Sequence, residues 1–258
     1  MIRKILVCVK MVPVDDKVKI DTNHCMDRNR VFHQINMSDM AAVEVALMHK
    51  PEASVTVLTM GTAAAIPLLK DLLARGVDEA VLLTDTKMAG SDTRATARIL
   101  AAAIKKLGPF DMILCGRKAI DGETGQVPGE LAAELKIPCI TNIEKLFFEG
   151  EECTCFRLLE KGNAVLKVKL PAIFSLCEYT YSLRLAGLKG IREASSKNVQ
   201  VYSMEELGLT KAECGLSGSC TRVVKATHLE TGLRNGVKET NISVGVEEMI
   251  AMIRENQT

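Results

Sequence analysis

No sign of charge dominates this sequence: 33 lysines and arginines stand against 32 aspartates and glutamates in 258 residues. There is therefore no electrostatic case for a nucleic-acid or an anionic-membrane partner. No apolar run is long enough to span a bilayer, and Met1-Ile2-Arg3-Lys4 runs straight into a strand-like segment and not into a signal peptide. None of the nine cysteines belongs to a CxxC pair, so neither a zinc site nor a redox dithiol is indicated. Cys8, Cys115, Cys139 and Cys177 sit in apolar runs as small core residues, while Cys153 and Cys155 share one face of a strand and Cys214 and Cys220 bracket a glycine-serine loop. His24, His33, His49 and His228 lack ligand spacing. There is no Ser/His/Asp or Cys/His constellation, hence no side chain placed as a nucleophile. These absences describe a cytoplasmic protein whose chemistry, if it has any, comes from a bound group.

What the sequence has is an alternation of strand and helix. Lys4 to Val9 is a continuous apolar run, the pattern of a strand covered on both faces. Val14 to Arg30 is polar and reads as a hairpin or loop. Ser38 reads as the N-cap of a helix with Met40, Val43 and Leu47 on its inner face. Ser54 to Thr59 is the next strand, turning at Gly61-Thr62 into a helix that carries Ile66, Leu69 and Leu73 and closes at Gly76. Glu79 to Thr84 is a third strand. The loop from Asp85 to Asp92 then enters an alanine-rich helix with Ile99, Leu100, Ile104 and Leu107 as core contacts, and Asp111 to Cys115 is a fourth strand. Repeated β-α-β units with short connections predict a three-layer α/β/α fold, with a mostly parallel, Rossmann-like sheet. The strand ends at Cys8, Met60, Thr84 and Cys115 then open on one carboxyl rim, where such folds bind ligands.

After Thr141 the pattern changes. Leu146 to Leu159 and Ala164 to Leu170 predict an antiparallel pair joined near Gly162, and Ala172 to Glu178 a further apolar strand. Arg184 to Ala194 is short, cationic and glycine-broken, Lys211 to Ser219 reads as a loop, and only Val246 to Asn256 is helical at the end. The division expected is a nucleotide-binding domain over residues 1–190 and a C-terminal arm over 191–258. The arm either lies along a partner or wraps its own domain, disordered ends being the bland alternative.

The densest chemistry lies in CGRKAIDGETGQVPGE, Cys115 to Glu130. It joins the fourth strand to a helix with Pro128 in its first turn. Gly116, Gly122 and Gly125 let backbone N–H groups approach a ligand, and the helix N-terminus offers unpaired donors and partial positive charge suited to a phosphate. Asp121, Glu123, Thr124 and Gln126 add donors and acceptors for a ribose or adenine. The bland alternative is a long loop whose glycines serve only the turn, since neither a Walker lysine-serine pair nor a full GxGxxG is present.

These stretches together resemble the β subunit of an electron transfer flavoprotein, nearly end to end. The resemblance rests on ILVCVKMVP at the start, on Asn36 ahead of the Ser38 helix, on MGTAAA from Met60, and on LLARGVDEAVLLTD. GSDTRAT at Gly90 to Thr96, CGRKAIDGETGQVPGELA and VKLPAIFSL complete it, and Gly116 to Gly122 is its most specific part. It implies the adenine-nucleotide α-hydrolase-like arrangement of the sheet, an α subunit as heterodimer partner that the C-terminal arm over 191–258 contacts, and an adenine nucleotide, either AMP or FAD. Carried over residue by residue, it implies a cofactor site of Cys8, Val9, Asn36, Asp39, Met60, Asp92, Thr93, Thr96, Gly116, Arg117, Lys118, Ala119, Ile120, Asp121, Gly122, Glu123, Thr124, Gly125, Gln126 and Val127. The GSDTRAT segment resembles that of flavin-bifurcating members, which take a hydride from NADH and split its electrons between two acceptors; this favours FAD. Asp92 is equally a good N-cap for a helix with no ligand. Family members often read Pro-Arg-Tyr-x-Ser/Thr-Leu in a segment that docks dehydrogenases. Here Ser182 to Leu188 keeps the arginine and final leucine without the proline and tyrosine, and Arg184, Leu188 and Lys189 are the implied contacts. Some members carry an acidic residue at the position of Leu158 that helps hold the α subunit, a charge missing here. The competing class is an adenine-nucleotide sensor or hydrolase, against which Lys10-Met11-Val12-Pro13 stands where a pyrophosphate loop would follow the first strand.

Overall fold

The run Lys4–Cys8 has no polar side after its first residue, and in the computed structural model it forms β1 near the middle of a nine-stranded sheet. Residues 2–14, 32–149, 152–224 and 239–255 are described. After β1 come β2 (Met11–Pro13), β3 (His33–Ile35), α1 (Met37–Leu47), β4 (Ser54–Met60), α2 (Ile66–Ala74), β5 (Glu79–Leu83), α3 (Thr93–Leu107), β6 (Met112–Gly116) and α4 (Val127–Leu135). Then follow β7 (Cys139–Glu149), β8 (Glu152–Leu159), β9 (Gly162–Lys169), β10 (Ala172–Leu176), α5 (Leu188–Ser196), β11 (Gln200–Tyr202), α6 (Gly215–Gly218) and α7 (Ile242–Glu255).

The sheet order is β11-β5-β4-β1-β6-β10-β7-β8-β9. The strands from β11 to β7 pair in parallel, and β7, β8 and β9 pair antiparallel. Alternation along β1 sets the layers, because neighbouring side chains leave opposite faces of a strand. Ile5 and Val7 join one buried cluster with α1 and α2, and Leu6 and Cys8 another with α3 and α4. The result is the α/β/α sandwich that the alternation predicts. Two helices cover one face and two the other; α2, α3 and α4 each follow a strand of the sheet, and α1 follows the small antiparallel pair β2-β3.

Several expectations need correction. Ser38 does not cap α1: the helix begins at Met37 with Asn36 in the capping position and no side-chain cap bond. Leu146 to Leu159 is not one strand but the end of β7 and all of β8, so the antiparallel part has three strands. The glycine-broken segment around Leu188 is the helix α5, and Lys211 to Ser219 holds two short helical turns in place of a loop. The edge strand β11 pairs with β5 and was not expected at all. By its contacts the chain gathers into two compact units, Met1–Val224 and Lys225–Thr258. The last helix, α7, starts earlier than expected, at Ile242, and none of its residues is buried. The hairpin or loop read into Val14 to Arg30 lies outside the described residues from 15 onward.

Candidate functional site

The carboxyl ends of β5, β4, β1 and β6 lie side by side. Leu83 is in register with Met60, and Cys8 with both Leu58 and Cys115. The order of connection reverses beside β1, where one crossover leads to β4 and a later one returns to β6. This is the switch point at which open α/β sheets bind ligands.

Asp39, in the first turn of α1, holds the two sides of that switch point together. One carboxylate oxygen accepts the Lys10 N–H at 2.7 Å and the other the Gly116 N–H at 3.0 Å. The residue is buried, and burial pushes its carboxyl up to about 7, against the lowering pull of the Lys10, Asn36 and Gly116 donors and the Lys10 charge. Asn36 Nδ2 and Ser38 Oγ both donate to the Lys118 carbonyl, at 2.9 and 2.8 Å, and Asn36 Oδ1 accepts the Ile120 N–H at 3.3 Å. The start of α1 thus grips the glycine-rich loop at three points.

The loop itself leaves β6 at Gly116 and turns over Ala119, whose carbonyl accepts the Glu123 N–H at 2.8 Å. Glu123 and Gly125 have positive φ, 51° and 62°. Each cation beside it already faces a carboxylate: Lys10 Nζ meets Asp121 at 2.7 Å, Lys118 Nζ meets Glu123 at 2.9 Å, and Arg117 meets Glu178 at 3.9 Å. A phosphate here would be held chiefly by backbone N–H groups and the start of α4. A cavity of about 360 Å³ is lined by Arg117, Lys118, Glu123, Thr124, Gly125 and, from β7, Thr141 and Asn142. At the end of β4 the hydroxyls of Thr59 and Thr62 are buried with no hydrogen-bond partner among the described residues.

Cys8, Val9, Asn36, Asp39, Met60 and Gly116 to Val127 therefore share the rim, most of them joined by hydrogen bonds. Asp92, Thr93 and Thr96 sit at the start of α3 on the same rim, but their side chains are engaged differently. Asp92 caps the helix by accepting the Ala95 N–H at 2.9 Å. Its other oxygen accepts from Cys220 N, Thr221 N and Thr221 Oγ1. Burial raises its pKa, yet the Ala95, Thr221 and Cys220 bonds together hold it below the usual carboxylate range. Thr93 Oγ1 donates to Glu130 Oε1 at 3.1 Å, tying α3 to α4. Sequence reasoning missed Glu130, the orphan Thr59 hydroxyl and the Ser219–Thr221 contact. The last joins residues 127 to 129 positions apart, and no local pattern marks it.

The proposed docking segment behaves as two parts. Leu188, first residue of α5, is 88% exposed, and the Lys189 ammonium lies 3.9 Å from Glu193. Arg184 is turned inward: its Nη2 and Nε donate to Glu44 at 2.7 and 3.0 Å, and Arg75 donates to its carbonyl. Among the described residues no helix is long and apolar enough to cross a membrane, and no cluster of ligating side chains could hold a metal.

Comparison with known proteins agrees with this geometry. The Electron transfer flavoprotein domain matches residues 25–207. The chain is 38% identical over 227 residues to the caffeyl-CoA reductase-Etf complex subunit CarD of Acetobacterium woodii, covering 86% of this chain and 87% of that protein. It is 37% identical over 250 residues to an electron transfer flavoprotein subunit beta of Thermoanaerobacterium thermosaccharolyticum, covering 95% and 96%. It is 37% identical over 233 residues to the acryloyl-CoA reductase electron transfer subunit gamma of Anaerotignum propionicum, covering 86% and 87%. The family match takes in the part of the rim from α1 through the glycine-rich loop, and the chain belongs to the electron transfer flavoprotein family as a beta-subunit-like electron-transfer protein.

Proposed function

We propose that this chain is the β subunit of a heterodimeric electron transfer flavoprotein, with FAD on the carboxyl rim and a second flavin carried by its α subunit. It would pass electrons from NADH or a docked dehydrogenase to other acceptors by flavin-based bifurcation. The observation that carries a nucleotide reading is the grip of Asn36, Ser38 and Asp39 on the Gly116 to Ile120 backbone. That grip presets the turn over Ala119 that leads into α4, whose N-terminus suits a phosphate. FAD, when bound, supplies the electron chemistry; the chain's own residues bind, orient and exclude water. Two of the relatives are named as parts of acyl-CoA reductase systems, which supports the bifurcating type.

The AMP reading has its own support. The Asp92 carboxylate is already saturated by the chain, so it has no acceptor left for a group larger than AMP. Acid extraction of the purified heterodimer, followed by chromatography of the released nucleotides, separates the two. Two FAD and no AMP per heterodimer support bifurcation, with NADH reduction as the second check. One FAD and one AMP defeat it. A colourless monomer that hydrolyses ATP would overturn the electron-carrier reading as a whole and favour a nucleotide sensor or hydrolase.

A further inference from the structure

Long after the chain leaves the loop ahead of α3, it comes back to close over it. Asp85 accepts the N–H groups of Lys87 and, from the C-terminal half, of Met204 at 3.2 Å. Gly215 N donates to Ser91 Oγ at 2.9 Å. Ser219 Oγ accepts the Asp92 N–H at 2.9 Å and donates its one hydrogen to the Gly215 carbonyl at 2.8 Å, with the Gly90 carbonyl farther off at 3.3 Å. The second oxygen of Asp92 receives Cys220 N at 2.7 Å, Thr221 N at 2.9 Å and Thr221 Oγ1 at 3.1 Å. The seat is tight: a β-carbon on Gly215, at φ +57°, would lie 2.4 Å from the Lys87 carbonyl oxygen and 2.9 Å from that of Ala89.

Capping α3 requires only one oxygen of Asp92. The other gathers three donors from a stretch that contributes nothing to the cap, and the first compact unit ends just beyond it, at Val224. We propose that Asp92 is the positioning residue of the C-terminal arm: it pins residues 214–221 to the rim and so fixes where the chain leaves its first unit toward α7. This rests on the reading that the arm docks the α subunit. A pinned exit keeps the arm's effective concentration at its docking surface high, and release spreads the arm over a larger volume.

Asp92→Asn separates the two roles. Asparagine caps a helix as well as aspartate does, but it has a single acceptor, so its NH₂ must face one of the two sets of donors. With the cap kept, the strap is lost. The expected result in the full-length protein is amide exchange at Cys220 and Thr221 at least tenfold faster, a melting temperature near wild type, and about a tenfold higher Kd for the α subunit. Ser219→Ala, which loosens the strap and leaves the Asp92 cap intact, should move exchange and Kd in the same direction and serves if Asp92→Asn does not fold. Faster exchange with a wild-type Kd overturns the proposal. So does loss of nucleotide at a wild-type Kd, which would make Asp92 a cofactor ligand, and so does unchanged exchange in both variants. Met249→Asp/Ile253→Asp is the control: if it binds the α subunit as tightly as wild type, the arm reading fails, a result distinct from a failure of Asp92 alone.

Discussion

A β-carbon on Gly116 would lie 2.1 Å from Asp39 Oδ1 and 2.6 Å from Ser38 Oγ, so the last residue of β6 has no room for any other side chain. Gly116→Ala should cost about 1–3 kcal/mol through forced displacement of α1's first turn. That is a fall of several degrees in melting temperature for a chain of this size, measurable by calorimetry. Nucleotide retention should fall with it, because the displaced turn holds the loop. Asp39 gives a pH test. Its folded-state pKa of about 7 lies above the ordinary carboxylate value, so the folded form keeps the proton longer than the unfolded form does. Stability from this group is present below about pH 4 and is lost as pH rises toward 7, a drop on the order of a few kcal/mol. Asp39→Asn should flatten the decline of the urea midpoint between pH 4.5 and 7.5; an unchanged slope counts against the assignment. Gly116 was legible as part of a string, but its reason was not. Asn36 and Ser38 both look like helix caps, and only the folded chain shows them reaching to Lys118, 82 and 80 positions away.

Helix α5 was hidden in the sequence because Gly190 lowers helix propensity, and it is kept for a packing reason. A β-carbon there would meet the Ala74 carbonyl oxygen at 2.0 Å, so α5 lies directly on the end of α2. Lys70 Nζ bonds the carbonyls of Ala194 and Lys197, and Ala194 is buried in the α1–α2 core. This support leaves Leu185, Leu188 and Ile191 exposed together. Leu188→Ala should therefore leave the melting temperature near wild type, as exposed substitutions do, while slowing electron transfer to the dehydrogenase by stopped-flow. A fall in stability would instead return Leu188 to the core. Arg184→Ala should differ from it by loosening the segment itself, since its partner is Glu44 on α1. Short elements were the other failure of sequence reading. Gln200–Tyr202 is three residues long and becomes a strand only because the edge of β5 is open to it. Leu146 to Leu159 does carry a local turn signal, the glycine among carboxylates of Glu149-Gly150-Glu151-Glu152, and it falls where β7 gives way to β8; the sequence reading passed over it. The central strands were legible because burial on both faces leaves an unbroken apolar run, and the rim followed from their order.

At the scale of the whole molecule, the sheet was legible because each of its units is local in sequence, whereas α7 buries none of its residues and so carries no core pattern to read. In α7, Ile242, Val246, Met249, Ile250 and Ile253 are all exposed, at spacings that place them on one stripe of the helix. Fully burying such side chains contributes about 1.5–3 kcal/mol each, less the cost of ordering the arm. If the α subunit supplies the covering surface, binding must stabilise this chain by mass action. At an α-subunit concentration one hundred times its Kd the gain is about 2.7 kcal/mol, which for a chain of this length raises the melting temperature by roughly 5–10 °C. The rise should grow with α-subunit concentration, and amide exchange in residues 242–255 should slow in the same titration. A concentration-independent melting temperature would mean that the two chains do not associate. A rise without protection of 242–255 would place the interface on the sheet unit and leave α7 outside it.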